Sequence, residues 1–171
     1  MAKYFDDDPD YIEATLIPSE WAEVIGHIVS THTFYLDPSI EDALFRFYDF
    51  DHDTFDQDIY KLKMTGNKLE KLNSLAQKRL NSTDLLEFDA IYETIDKAIK
   101  ARNRFIHDHH AGTLHHNNIP QVVTLRQRTG PGKFCEHDYT MEGLRSLVND
   151  QLEASRALRK FARRVLPFPE S

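Results

Sequence analysis

Arg102, Asn103 and His107 stand close together near the end of the longest helical pattern in this 171-residue chain. Residues four apart share a helix face, so Asn103 and His107 do so if the helix persists. Arg102 and His107 are five apart, roughly 140° around the axis. The long arginine side chain brings them to a common site, and so does a second copy of the helix. The set offers a fixed cation, an amide and a group that titrates near neutrality. Such groups suit cleavage of RNA without a metal: an imidazole moves the proton of the 2′-OH, and a guanidinium holds the phosphate as its charge grows. Arg102 also stands where its helix calls for an aliphatic residue. A lone guanidinium on a packed face is costly unless it is paired or faces a polar cleft.

The helix that must position these groups has the clearest pattern in the chain. Ser82 or Thr83 is placed to cap it, and Leu85, Phe88, Tyr92, Ile95 and Ile99 follow at spacings of three and four, with Arg102 and Ile106 next in the series. Before it, Ser19 caps a helix carrying Trp21, Ile25, Ile28 and His32, and Asp37-Pro38-Ser39 breaks the chain and opens a second. A third helical region spans about Thr54 to Leu80, weakened at Thr65-Gly66-Asn67. After the long helix comes a His-rich stretch, Asp108 to Asn118. Val122 to Leu125 and Phe134-Cys135 then flank Thr129-Gly130-Pro131-Gly132 and predict a β-hairpin. The last helix begins near Thr140 and stops at Pro167 and Pro169. These elements predict an all-α fold, a bundle of about five helices with a small hairpin insertion, about 108–139, before the last. Residues 1–18 read as an acidic arm and 19–171 as a single domain.

On this frame, the run Ala101-Arg102-Asn103-Arg104-Phe105-Ile106-His107 resembles the Arg-x4–6-His motif of HEPN domains, including the polar residue directly after the arginine. The layout from about Ser19 onward is also similar to HEPN-like bacterial proteins. The specific match covers Arg102 to His107. The resemblance implies a metal-independent endoribonuclease of the toxin or phage-defence type, without a cofactor, built as a homodimer with two motifs at its interface. It implies Arg102 and His107 as catalytic residues, with Asn103 orienting them or touching phosphate. RNA and an antitoxin-like protein would be the partners. Many relatives have Gly after the histidine, where this chain has Asp108-His109-His110. A carboxylate there favours imidazolium and repels phosphate. The alternative function is a non-catalytic helical homodimer module for protein interaction, whose acidic N-terminal third engages a basic partner or covers its own basic face. A metal-binding protein is the third.

Charge and composition set the bounds. The net charge of −7 conceals fifteen acidic residues against Lys3 and Arg46 up to Asp58, and nineteen basic against thirteen acidic residues thereafter. The acidic total argues against indiscriminate nucleic-acid binding, while the basic remainder permits a local phosphate-facing patch. Lys100 and Arg104 are the substrate-binding candidates there, although cations at a helix C-terminus also complement the helix dipole. Arg156, Arg159, Lys160, Arg163 and Arg164 end the last helix likewise, and the two basic ends would track a phosphate backbone if they lay together. His109, His110, His115 and His116 offer metal donors, but at no recognised zinc spacing, so a solvated loop is expected and no metal is assigned. Asp49 to Asp53 superficially opens a calcium loop, with Thr54 where glycine is needed and Tyr60 where glutamate is needed. Gly130-Pro131-Gly132 reads as a turn rather than a phosphate loop. Cys135, the single cysteine, excludes an internal disulfide framework and reads as a packed residue. No apolar run approaches the ~18 residues that span a bilayer, and the N-terminus lacks a secretion signal, so a cytoplasmic protein without membrane contact is expected.

Overall fold

A computed structural model describes residues 19–116 and 119–168, so the acidic arm 1–18 lies outside the described residues. Helix α1 (Ser19–Thr31) buries Trp21 and Ile28. The expected break at Asp37-Pro38-Ser39 does not occur. A π turn (His32–Leu36) carries the chain directly into α2 (Asp37–Phe47), with Pro38 in its first turn. Proline has no N–H to donate and its ring crowds the carbonyl one turn back. The wider π turn, closed by the Asp37 N–H on the His32 carbonyl, absorbs that constraint without ending the helix. The Ser39 and Ser155 hydroxyls, 2.6 Å apart, both lie within hydrogen-bond distance of the Tyr35 carbonyl, so one donates to that oxygen and the other can donate to its neighbour.

The predicted helical region from Thr54 to Leu80 is two helices, α3 (His52–Ile59) and α4 (Thr65–Arg79). The weak point is real, but Thr65 opens a helix rather than interrupting one. Asp51, from the rejected calcium loop, caps α3 by accepting from the N–H groups of Asp53 and Thr54. The long helix α5 (Ser82–His107) is capped by Asn81, not by Ser82 or Thr83: the Asn81 side chain accepts from the N–H groups of Thr83 and Asp84. At 1.5 Å per residue α5 is about 39 Å long. Helix α6 (Met141–Val165) starts at the Thr140 side chain, which accepts from the Gly143 N–H. With α1 and α2 continuous through the π turn, the described residues contain five helical rods.

Three antiparallel strands stand between α5 and α6 in the order β1 (His109–His116), β2 (Ile119–Gly130) and β3 (Lys133–Tyr139). The β2–β3 hairpin is the expected one, turning through Gly132 at φ +68°, a conformation glycine adopts without a Cβ clash. The His-rich stretch is a correction: it is an edge strand, not a loop, with His109 opposite Arg126 and Leu114 opposite Val122. Its backbone groups find ladder partners on β2, which outweighs the poor strand pattern of its side chains. Cys135 is also a correction, for it is exposed on β3, where the hairpin stands clear of the bundle.

Two apolar clusters hold these elements. The larger joins α2, α4, α5 and α6 through Leu44, Leu72, Phe88, Ile95 and Phe161. The smaller docks Val123 and Leu125 of β2 on Trp21 and Ile28 of α1 and Leu144 of α6. Arg164 near the end of α6 reaches Asp84 and Glu87 at the start of α5, whereas Arg104 near the end of α5 lies beside Tyr139, just before α6. The two helices are therefore antiparallel. Their basic ends lie at opposite ends of α5, so they do not form a joint phosphate track.

Candidate functional site

The C-terminal end of α5 and strand β2 enclose a cleft of about 350 Å³ lined by Lys100, Asn103, Arg104, His107, Asp108 and Gln127. Helical spacing aligns Lys100, Asn103 and His107 along one face, as the sequence suggests. Lys100 is drawn to Asp96, one turn back, by an ion pair of 2.6 Å, and that hydrogen bond raises its pKa above the ordinary lysine value. Arg104 reaches the Tyr139 hydroxyl at 3.4 Å. His107 is exposed at the cleft, while Asp108 keeps its Oδ2 buried without a hydrogen-bond partner among the described residues.

Arg102 does not line this cleft. Its Nη1 donates to the Asn103 Oδ1 at 3.0 Å, so Asn103 is the link between the guanidinium and the cleft that holds His107. Burial lowers the Arg102 pKa, a shift opposed by the charge of Asp37. The structure thus brings Asn103, His107, Lys100 and Arg104 together, and leaves Arg102 on the adjoining face. The angular separation of Arg102 and His107 around α5 is the reason.

On that adjoining face lies a polar network absent from the sequence expectations. His32 Nε2 and Thr65 Oγ1 are 3.1 Å apart, and the Thr65 hydroxyl donates to Asp37 Oδ1 at 2.7 Å. Lys68 donates to Asp37 Oδ2 at 2.8 Å and to Glu41 Oε1 at 2.6 Å. Burial works against the Lys68 ammonium, yet its hydrogen bonds to the two carboxylates outweigh it and raise its pKa. Only His32 left a trace in the sequence, as a polar residue in an otherwise apolar stripe. Asp37 on α2 and Thr65 and Lys68 on α4 carried no signal of this network, and neither did Gln127, which β2 brings over the end of α5.

His32 is 3% exposed, and its pKa is lowered to about 4 by burial and then by the Arg102 charge, with Lys68 adding to the effect and Asp37 opposing it. A histidine held neutral in the fold stabilises it fully above its unfolded pKa near 6.5. That stability is lost as pH falls through 6.5 toward 4, because the unfolded chain takes up a proton that the folded one refuses. At ~1.4 kcal/mol per pKa unit, the loss is up to about 3 kcal/mol. Urea unfolding at a series of pH values checks this: the wild type is expected to lose stability more steeply between pH 6.5 and 4 than His32→Gln, and equal slopes would refute it.

Among the described residues, no group of three or more His, Cys, Asp or Glu side chains could hold a metal ion. His110 is partnered by Thr113, at 2.9 Å, while the side chains of His109, His115 and His116 lie outside the described ones. No described helix is long and apolar enough to cross a membrane. No protein-family model, curated protein or solved structure matches this chain.

Proposed function

We propose that the chain is a HEPN-like, RNA-directed protein that cleaves RNA without a metal. The observation that carries this reading is the cleft at the end of α5, where His107 is accessible beside Asn103, Arg104 and Lys100. His107 acts as the acid and base, and Arg102 stabilises the phosphate and the transition state. Asn103 orients Arg102, to which it is bonded. Lys100 and Arg104 bind the flanking phosphates. The bundle with a small sheet before its last helix also suits the HEPN resemblance. A toxin or phage-defence role with an antitoxin-like partner follows from that resemblance alone. The test is cleavage of single-stranded RNA by purified protein in EDTA.

Arg102 lies outside the His107 cleft of its own chain, so the reading calls for a second protomer that brings the two together. Ile106, one turn beyond Arg102, is 41% exposed, an aliphatic side chain that a second copy would cover. Light scattering at micromolar concentration is expected to give the mass of a homodimer, and a monodisperse monomer would count strongly against it. The position of Arg102 equally favours the second reading, a non-catalytic homodimer module, which a dimer inert toward RNA would support.

A further inference from the structure

His32 Nδ1, on the π turn that packs against α5, and Arg102 Nε, on α5 itself, are buried with no hydrogen-bond partner among the described residues. Their chemical roles follow from the network behind them. The Asp37 carboxylate, paired with Lys68, only accepts, so the Thr65 hydroxyl gives its single proton to Asp37. The Thr65 oxygen must then accept from His32 Nε2. This places the imidazole proton on Nε2 and leaves Nδ1 as a bare lone pair. Arg102 Nε, in contrast, only donates. The two unpartnered atoms are complementary, and Arg102 is the charge that acts most strongly on the His32 ring.

We propose that His32 is a positioning residue for Arg102, its Nδ1 accepting the Arg102 Nε–H when the guanidinium engages an anionic phosphate group. With Nε held by His32 and Nη1 by Asn103, the guanidinium plane is fixed from two sides and Nη2 is presented to the anion. The Asp37–Thr65–His32 chain sets the tautomer, and Lys68 anchors the Asp37 carboxylate from the other oxygen. The π turn contributes by carrying His32 on a helix that runs unbroken to Asp37. A protonated His32 would lose its acceptor and repel Arg102, so the contact belongs to the neutral ring. The inference rests on Arg102 being an anion-binding group, as the proposed function has it.

Nitrogen NMR on the full chain, labelled with 15N at histidine and arginine, tests the contact without requiring catalysis. At pH 7, His32 is expected to show the Nε2–H tautomer. Titration with inorganic phosphate is expected to shift the Arg102 Nε–H signal and slow its exchange with solvent. His32→Gln, which reaches Thr65 but lacks an acceptor near Nδ1, is expected to lose that response. His32→Asn places an amide oxygen near the Nδ1 position and is expected to restore much of it. An Nδ1–H tautomer in the wild type would overturn the proposal, as would no Arg102 response to phosphate or the same response in His32→Gln. The tautomer and phosphate response of the wild type decide the matter even if a variant fails to fold. On RNA, His32→Gln is expected to lower kcat by up to ~10²-fold through misplacement of Arg102, with recovery in His32→Asn. Unchanged cleavage by a folded His32→Gln would overturn the positioning role. RNA left uncut by a wild type that shows the phosphate response would sink the ribonuclease reading alone.

Discussion

Replacing His107 by Ala is expected to slow cleavage of single-stranded RNA by ~10²-fold or more, the loss that follows removal of a general acid and base. Wild-type protein should cut in EDTA, because the proposed chemistry activates the 2′-OH with an imidazole rather than a metal-bound hydroxide. Its products should end in 2′,3′-cyclic phosphate, and DNA of the same sequence should stay intact for want of the attacking hydroxyl. His107 is exposed at the end of α5, so the variant should melt like the wild type. Arg102→Ala is a less discriminating substitution, because Arg102 is partly buried and bonded to Asn103, and its loss disturbs packing as well as chemistry. The assay needs protein free of any co-purified inhibitor. Wild type and His107→Ala equally inert across a broad RNA panel would remove the catalytic reading and leave the binding module.

Phe88→Ala is expected to cost about 3–5 kcal/mol of stability, the range for emptying a buried aromatic site. Phe88 is fully buried on α5, with its ring 5.8 Å from that of Phe161 on α6 and 6.2 Å from that of Tyr92. The site lies inside the larger apolar cluster, and the helices packed around it limit collapse. For a chain of this size the melting temperature should fall by roughly 6–20 °C. Denaturant unfolding checks the value directly, and a loss below about 1 kcal/mol would contradict the packing described for the larger cluster. Because α5 also carries His107, the same substitution ties the site to the core: the proposed RNA cleavage should be lost on heating at the lowered melting temperature.

Much of the frame was legible from residue order. The apolar series from Leu85 to Ile99 marked α5, and Thr140 with its following apolar stripe marked α6, because helical periodicity and capping are local properties. The hairpin was legible for a similar reason, since Gly132 and its neighbours carry the turn. Within the site, Asn103 and His107 could be placed on one face by counting. The π turn was not legible, because Pro38 reads as a break when only one helical geometry is considered. The His-rich strand escaped as well: it is a strand through its pairing with β2, not through its own side-chain pattern.

The sequence by itself determined where the long helices run and which chemical groups stand at the end of α5, since both depend on neighbours within a few residues. The tertiary structure alone decided what those groups face. It left Arg102 outside the His107 cleft, brought Gln127 over that cleft from β2, and joined Asp37, Thr65 and Lys68 into one network from two helices. It also set the basic ends of α5 and α6 at opposite ends of the bundle. Such contacts join residues far apart along the chain, and they are fixed by how buried faces pack and how buried charges and hydrogen bonds are satisfied, quantities that no local spacing records.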